Sequence, residues 1–323
     1  MAGPTPLPDP VAPVVSIPVI VNRAGGTAAS LGDALADRIA AAFEAAGLVA
    51  DIRLIDGSDI ADAVRALADV PTVVVGGGDG TLGCAAQARV ESGAGAFGIL
   101  PLGTRNHLAL ELGIPSELEG AAAVIAAGVV RPIDLATVND VGFVNNASVG
   151  LYPLLVRWRD AERDRRGLPK WLATLPAAWA TLRRLPHHRL RLSSGEGVRR
   201  VVTPLLFVGN NRYMLERGRL GERAALDDGL LSVFAVGAHS RMGMIWLALR
   251  TMLGFSDPAH DFAALGDTAE FTVESRASHI DIALDGEVRR MCTPLRFTVR
   301  PGVLKVIVPG TAGANPLDAK RAA

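Results

Sequence analysis

The stretch Val73-Val74-Val75-Gly76-Gly77-Gly78-Asp79-Gly80-Thr81 joins an apolar, β-branched run to a segment of helical character at residues 82–90. Glycine lets a backbone turn sharply and approach a ligand, because no Cβ stands in the way. A helix that starts at such a turn presents unpaired N–H groups and the positive end of its dipole, which favour phosphate. Asp79 would repel phosphate, so we interpret it as a partner of a magnesium ion or as a brace for the loop. The stretch therefore predicts a nucleotide site.

Other glycine-rich signatures fit this stretch less well. A P-loop ends in Gly-Lys followed by Ser or Thr, and the chain contains no Gly-Lys pair. Gly78, Gly80 and Gly83 match the dinucleotide pattern literally, but that pattern calls for an acidic residue about 20 positions further on. Residues 97–104 contain no carboxylate. A tight turn without a ligand is the remaining alternative, although a turn needs fewer glycines than this stretch holds.

Two more strand-to-helix turns of this kind lie at other points of the chain. The apolar residues 98–100 lead into Pro101-Leu102-Gly103-Thr104-Arg105-Asn106. There Gly103 frees the backbone, Thr104 offers a hydroxyl, and Asn106 can cap a helix through residue 112. Residues 19–21 lead in the same way into Asn22-Arg23-Ala24-Gly25-Gly26. Since ligands of open α/β sheets bind at the carboxyl ends of the strands, the three turns predict one site.

The pattern of secondary structure changes near residue 135. Before it, strands alternate with helices expected over residues 30–46, 59–68 and 117–128, which predicts an α/β domain with a parallel sheet. After it, short β-rich runs predict an antiparallel β-sandwich, interrupted by helical segments at residues 154–185 and 241–253. We therefore expect a nucleotide-binding domain over residues 14–134, a β-rich substrate domain with inserted helices over residues 135–310, and tails at residues 1–13 and 311–323. The sequence leaves open whether the last strand returns to the first domain.

The overall charge excludes some classes of partner. The chain has 33 basic and 33 acidic residues, so its net charge is zero. It is therefore not drawn as a whole to nucleic acid or to an anionic membrane, and we expect no nucleic-acid partner. No run approaches the roughly 20 apolar residues of a membrane-spanning helix, and the proline-rich start lacks the basic region of a signal peptide. We expect a cytoplasmic enzyme.

Taken in order, the motifs resemble those of the bacterial diacylglycerol kinase and sphingosine kinase-like lipid kinases, whose catalytic domain is distantly similar to that of NAD kinases. The resemblance covers about residues 16–309, and the ordered set is much more specific than any single motif. The motifs that carry it are Asn22-Arg23-Ala24-Gly25-Gly26, Gly77-Gly78-Asp79-Gly80-Thr81, Pro101-Leu102-Gly103-Thr104-Arg105-Asn106, Asn145-Asn146-Ala147-Ser148-Val149-Gly150, Val208-Gly209-Asn210-Asn211-Arg212-Tyr213, Asp227-Asp228-Gly229-Leu230 and Leu284-Asp285-Gly286-Glu287.

The resemblance implies a kinase that uses ATP and Mg²⁺ and phosphorylates a lipid hydroxyl, with a diacylglycerol or a sphingoid-type lipid as acceptor. It implies that Glu287 accepts the hydroxyl proton, with Asp285 nearby, and that the magnesium bound with ATP leans on Asp79. It also implies a structural magnesium site at the Asp228 carboxylate and the backbone carbonyls of Ala225 and Leu230. The residues implied to bind the nucleotide, which would lie between the two domains, are Asn22, Gly25, Gly26, Gly77, Gly78, Asp79, Gly80, Thr81, Gly103, Thr104 and Asn106.

Both Asp-Gly pairs also have a plain structural interpretation. Asp285-Gly286 follows an apolar strand at residues 280–284, and Asp-Gly is a strong signal for a hairpin turn. Asp228-Gly229 precedes another β-rich run and fits a turn equally well. The local sequence alone does not separate a turn from a functional carboxylate.

The chain departs from the family pattern at three places. His107 stands where many members have Asp, Gly83-Cys84 where they often have Asn-Glu, and Ile55 where some relatives have a nucleotide-contacting Thr. These changes leave the phosphate turns intact but bear on proton handling and on the acceptor. Two alternatives stay open: a kinase for a soluble substrate, like NAD kinase, and a lipid-binding or regulatory protein with weak catalysis.

The segment of residues 157–191, from Arg157 to Arg191, is rich in arginine and carries tryptophans at helical spacing. A basic amphipathic helix with tryptophans can rest in a membrane interface, which would suit an enzyme acting on lipid at the inner membrane. The alternative is a helix that covers the domain with a solvated basic face. A homodimer is a further partner that the sequence leaves open.

Overall fold

The computed structural model describes residues 16–93, 95–154, 156, 187–214, 222–223, 225–237, 242–244, 246 and 262–310. The helices are α1 (Gly26–Leu31), α2 (Ala34–Ala45), α3 (Ile60–Arg65), α4 (Asp79–Glu91), α5 (His107–Glu111) and α6 (Leu118–Ala127). The strands of the first half are β1 (Ile17–Asn22), β2 (Ala50–Ile55), β3 (Thr72–Gly77) and β4 (Ala96–Pro101). The later strands are β5 (Val130–Val138), β6 (Val141–Phe143), β7 (Asn146–Gly150), β8 (His188–Ser194), β9 (Gly197–Thr203), β10 (Leu205–Asn210), β11 (Leu231–Val236), β12 (Phe262–Thr268), β13 (Glu270–Ser275), β14 (His279–Leu284), β15 (Glu287–Cys292) and β16 (Leu295–Ile307).

The first half of the chain builds a parallel sheet in the order β2-β1-β3-β4. The β-branched run of β3 is fully buried, because helices pack on the sheet and leave none of its valines exposed. Continuous apolar strands of this kind are typical of parallel sheets covered on both faces. Because β1, β3 and β4 are neighbours and run in the same direction, the turns that follow them meet at one edge.

The second half forms two antiparallel layers. One is a six-stranded sheet in the order β12-β11-β10-β7-β14-β15. The other continues the large sheet through β16, β13, β8 and β9. Inward-facing residues of both layers share one core, in which the rings of Phe271 and Phe297 stack with their centroids 4.8 Å apart. The predicted fold class, an α/β domain with a parallel sheet followed by an antiparallel sandwich, is confirmed.

The strand β16 belongs to both halves. Its first part pairs in antiparallel fashion with β13, and Val306 pairs with Phe97 of β4 in parallel. Along its length it also pairs with β5, with a register shift between Arg300 and Leu304. The predicted domain limits at residues 134 and 135 fall inside β5, which runs from the first core into the second. The last strand therefore does return to the first sheet, the point that the sequence left open.

Several elements differ from the sequence expectation. The helix expected over residues 30–46 is two helices, because Gly32 has a φ of 52° and ends α1. The helix after the glycine run begins at Asp79, three residues before the predicted start. Most of the two helical segments expected at residues 154–185 and 241–253 lies outside the described residues. Within the part of the chain that the structure describes, no helix has the length and apolar character needed to span a membrane.

Candidate active site

Three strand-to-helix turns pack backbone against backbone at the edge of the parallel sheet. Gly78 is the residue between β3 and α4, with Gly76 and Gly77 in the strand and Asp79 to Thr81 in the helix. A Cβ on Gly103 would fall within 3.0 Å of the Cα of Gly78. One on Gly26, whose φ is 44°, would lie 2.6 Å from the carbonyl oxygen of Leu102. The glycines are thus needed because each turn touches the next one.

The side chain of Asn22 locks the turn after β1 to the start of α4. Its Nδ2 donates to the Oγ1 of Thr81 at 2.9 Å, and its Oδ1 accepts from the backbone N–H of Ala24 at 3.1 Å. Gly77 leaves room for this contact, because a Cβ there would lie 2.6 Å from the Thr81 side chain. Gly25 forms the N-cap of α1 at the rim of the same turn.

The turn after β4 is held by the side chain of Asn106, the residue at the N-cap position of α5. Its Oδ1 accepts from the N–H of Gly103 at 2.8 Å, and its Nδ2 donates to the carbonyls of Pro101 and Gly103 at 3.1 and 3.0 Å. Asn106 has a φ of 50° and makes no side-chain bond to α5. Asn106 therefore occupies the predicted N-cap position and its carbonyl accepts from the N–H of Leu110 at 3.0 Å, but its side chain is used within the turn and makes no cap bond. Thr104 is exposed on the same turn.

Asp79 supplies the side-chain cap that Asn106 does not. Its Oδ2 accepts from the N–H of His107 at 3.1 Å, and its Oδ1 accepts from the N–H of Leu108 at 3.1 Å. The Nδ2 of Asn145 donates to the same Oδ1 at 3.0 Å. A carboxylate that accepts several N–H bonds at a helix start stabilises that helix. The structure thus shows the bracing alternative, while the magnesium role of Asp79 stays a prediction.

Asp285 and Gly286 form the two-residue turn between β14 and β15, with φ angles of 46° and 90°. Both angles are positive, as in the hairpin turn that Asp-Gly favours. The turn also has a second role, because the Asp285 carboxylate accepts three backbone N–H bonds. Oδ2 accepts from Val144 at 2.8 Å, and Oδ1 accepts from Asn145 and Asn146 at 2.8 and 3.1 Å. Asp285 therefore ties the hairpin to the strand entry at β7.

The environment of Asp285 raises the pKa of its carboxyl group. Burial raises the pKa of Asp285 to about 7, and the nearby Asp79 charge adds to the rise. The three backbone N–H bonds favour the charged form and oppose it. Gly83 of α4 permits this close approach, because a Cβ there would lie 2.5 Å from Oδ2 of Asp285. The glycine at a position where relatives often have a larger residue thus has a steric reason here.

Replacing Asp285 by Asn should change how stability depends on pH. The folded pKa of about 7 lies above the ordinary value of 3.8. Between these values the folded protein keeps a proton that the unfolded chain has released, so the contribution of Asp285 is full at low pH and is lost as the pH rises toward 7. We expect urea unfolding at about pH 5 and about pH 7.5 to show the wild-type advantage over Asp285→Asn shrinking at the higher pH. An advantage that grows with pH would contradict this.

Glu287 is the first residue of β15, and it pairs with Leu284, the last residue of β14. A Cβ on Gly80 would lie 2.6 Å from Oε1 of Glu287, so this carboxylate rests against the first turn of α4. Glu287 is exposed, and Nη2 of Arg289 lies 3.9 Å from its Oε2. Glu287 is thus an exposed carboxylate beside the glycine turns, and its catalytic role stays a prediction.

The predicted structural metal ligands lie just before β11. Asp228 is half-buried, and its backbone N–H donates to Oδ1 of Asn211 at 2.8 Å. The carbonyl of Leu230 accepts from the N–H of Asn211 at 2.8 Å, and Ala225 is buried. The described residues contain no group of three His, Cys, Asp or Glu side chains arranged for a metal. A site of one carboxylate and two carbonyls is of another type, so it stays a prediction; its all-oxygen donors suit Mg²⁺.

The sequence reasoning missed a buried polar cluster behind these turns. Its members are Glu111, Asn145, Tyr213 and Arg223, and the Arg223 guanidinium pairs closely with the Glu111 carboxylate. Burial raises the pKa of Tyr213 to about 12. Asn145 and Tyr213 stood in motifs that carried the resemblance, but the pairing of residues 111 and 223 has no local sequence signal.

Comparison with known proteins identifies the family. A model of the diacylglycerol kinase catalytic domain matches residues 16–138. A Pseudomonas aeruginosa protein described as "Probable lipid kinase YegS-like" is 32% identical over 239 residues, which cover 74% of this chain and 76% of that protein. The chain belongs to the YegS-like lipid kinase family. A further YegS-like member from Klebsiella pneumoniae is 48% identical over 96 residues, which cover 28% of this chain and 32% of that protein.

Solved structures show the same fold as this YegS-like chain. A diacylglycerol kinase from Bacillus anthracis superposes with a TM-score of 0.62 at 19% identity, covering 91% of this chain and 97% of that one. An NAD kinase from Archaeoglobus fulgidus, solved in complex with ATP, superposes with a TM-score of 0.51 at 11% identity, covering 95% and 99%. The family predicted from the ordered motifs is confirmed.

Every predicted nucleotide-binding residue of this YegS-like chain lies within residues 16–138, the segment that matches the family model. Asp285, Glu287 and the predicted metal ligands lie after residue 138, beyond the matched segment. Their positions are given above, and their roles are taken up as proposals.

Proposed function

We propose that this YegS-like protein is an ATP-dependent lipid kinase that transfers the γ-phosphate to a hydroxyl of a diacylglycerol or sphingoid-type acceptor. The observation that carries the proposal is the position of Glu287. Its exposed carboxylate rests against Gly80 in the first turn of α4, next to the glycine turns that suit phosphate. A kinase must align acceptor and phosphate, neutralise charge and take the hydroxyl proton. Glu287 is the group placed to take that proton.

The three turns form the proposed nucleotide site. The start of α4, with its backbone N–H groups, and the exposed residue Thr104 lie in turns at the same edge of the sheet. The Asn22 bond to Thr81 and the Asn106 bonds within its own turn keep these groups in place before a nucleotide arrives. Because these groups are already ordered, nucleotide binding loses little conformational entropy. An added Cβ would be crowded at Gly26, Gly77, Gly78, Gly80 and Gly103, whereas on Gly25 it would make only ordinary contacts at 3.8 Å or more.

Magnesium fits the donor chemistry in two places. Oδ2 of Asp79 accepts one N–H bond and retains a free lone pair, so it can hold a water or the ion that accompanies ATP. When bound, Mg²⁺ neutralises charge on the transferred phosphate. The Asp228 carboxylate, with the carbonyls of Ala225 and Leu230, would hold a second, structural ion.

Asp285 acts on the position of Glu287 in this proposal. It is two residues from Glu287 across the hairpin turn, and its three N–H bonds fix that turn. With a pKa of about 7, Asp285 changes charge near neutral pH, which gives the hairpin a pH-sensitive anchor. Glu287 itself then presents its carboxylate from a rigid strand rather than from a loop.

The lipid acceptor would approach from the antiparallel domain. A cavity of about 170 Å³ lies along β8, β9 and β12. However, β12 and β15 are opposite edges of the six-stranded sheet, so this cavity is remote from Glu287. We therefore assign the acceptor to the exposed side of Glu287.

We further propose a cytoplasmic location, with transient contact at the inner membrane through residues 157–191. We also propose that the protein can form a homodimer.

One labelling experiment tests the proposed function. Purified protein with Mg²⁺ and γ-labelled ATP is incubated with a lipid panel in detergent micelles and, separately, with NAD, and label is measured in the extracted lipids and in the nucleotide product. We expect label in one lipid, which would also name the acceptor. Label in NAD but not in lipid would replace the proposal with a kinase for a soluble substrate. Bound ATP without transfer to either would favour the lipid-binding or regulatory alternative.

A further inference from the structure

Arg223 is one of the largest fully buried side chains of the described residues, with 1% of its surface exposed. Burying a guanidinium is costly unless every donor finds an acceptor and the charge is paired. Arg223 meets both conditions, although it lies in no strand of either sheet and in no helix. A buried charge that is paired so fully points to a specific task.

All five N–H donors of Arg223 have acceptors. Nε and Nη2 both donate to Oε2 of Glu111, the first at 2.8 Å. Nη1 donates to the carbonyls of Val144 and Asn210 at 2.7 and 3.2 Å, and Nη2 also donates to Oδ1 of Asn145 at 2.7 Å. The guanidinium carbon also lies 5.8 Å from the ring centre of Tyr213.

The bond to Asn145 decides which way its amide faces. With Oδ1 accepting from Arg223, the Nδ2 end must point the other way, and it donates to Oδ1 of Asp79 at 3.0 Å. The buried amide thus acts as a fixed relay between a cation and a carboxylate. Without the Arg223 donor, either end of this amide could face Asp79, and one of them would repel it.

The same guanidinium reaches the other end of α5. Asp79 caps the start of this helix at His107 and Leu108, and Arg223 holds Glu111 in its last turn. A helix of five residues has little stability of its own. It also follows directly on the turn of Gly103 and Thr104. Arg223 therefore sets both ends of the element that carries one wall of the proposed phosphate site.

We propose that Arg223 is a positioning residue for the phosphate turn after β4. It acts through Glu111 at one end of α5 and through Asn145 and Asp79 at the other, and so links the antiparallel half of the molecule to the nucleotide site. This inference rests on the proposed function for its kinetic consequence. It predicts that loosening Arg223 weakens nucleotide binding rather than the proton transfer by Glu287.

The test compares Arg223→Lys, Glu111→Gln and a matched control, Arg212→Met. Arg212 is nearby in the chain, but it is exposed and pairs with Asp267 at 3.2 Å. Lysine keeps the charge but has only three donors and cannot make all five hydrogen bonds of the Arg223 side chain, and glutamine keeps the shape of Glu111 but not its charge. For each folded variant, calorimetry gives the affinity for ATP with Mg²⁺, hydrogen exchange follows the amides of residues 103–112, and turnover gives KM and kcat.

We expect both variants to weaken ATP binding about tenfold or more, because small misplacements of a binding element are costly. The His107 and Leu108 amides should exchange faster, the KM for ATP should rise more than kcat falls, and the control should match wild type. Folded variants with wild-type affinity and wild-type exchange would overturn the proposal. If the wild type binds no ATP, the proposed function fails, and exchange at His107 and Leu108 still decides the role of Arg223.

Discussion

Glu287→Gln is expected to lower the rate of phosphoryl transfer by about 10²- to 10⁴-fold, the usual contribution of a positioned general base. Glutamine has nearly the same shape but cannot accept the acceptor proton. ATP affinity should stay near the wild-type value, because the close neighbours of Gly78 and Gly103 lie in those turns themselves and do not include Glu287. The effect should therefore appear in kcat and leave binding measured without lipid unchanged.

The matched control is Glu274→Gln on the antiparallel sheet. Glu274 is also an exposed strand carboxylate, and it pairs with Arg191 at 3.3 Å. It should retain full activity, since exposed pairs of this kind contribute little. A Glu287→Gln protein with wild-type turnover would remove Glu287 from the proton-accepting role and leave the identity of the base open.

Gly103→Ala is expected to abolish measurable ATP binding and to lower the melting temperature. The added Cβ would meet the Cα of Gly78 and Oδ1 of Asn106, 2.6 Å away, and so would push apart two backbone segments. Forcing extra atoms into a packed region costs about 1–3 kcal/mol. The nucleotide site should suffer more than the fold, because the displaced turns are its walls.

Gly195→Ala serves as the control for this substitution. Gly195 lies in the β8–β9 turn, a Cβ there would meet nothing within 4 Å, and its φ is not positive. Stability and ATP binding should both match the wild type. Thermal unfolding and calorimetry on the two variants measure the effects separately. Normal ATP binding by Gly103→Ala would show that the contact between the turns is not part of the site.

The fold class and the meeting of the three turns at one edge of the sheet were predictable from sequence, because both depend on local patterns. The β-branched run before Gly76 marks a strand, the glycines mark a turn, and the three turns share one edge once the strands are parallel. The family followed from the order of motifs. The hairpin at Asp285 was also open to prediction, as Asp-Gly is a known turn former.

The roles of individual polar side chains were harder to predict, because they depend on contacts between distant residues. Asn106 is at the N-cap of α5, yet it is the carboxylate of Asp79, 28 positions before His107, that accepts the N–H bond of His107. Arg223 and Glu111 are 112 positions apart, and neither belongs to a recognisable pattern. The start of α4 also differs from the prediction, because the last residues of a glycine-rich turn can belong to the helix as easily as to the loop.

The course of β16 has a consequence for how the protein is made. The edge of the first sheet at β4 is completed only by residues near Val306, almost at the end of the described chain. During synthesis at about 5–20 residues per second, the apolar edge left at β4 waits roughly 10 to 40 s for its partner strand. Unpaired strand edges invite wrong pairing. The edge of the first sheet at β4 is therefore open to wrong pairing until β16 has been synthesised.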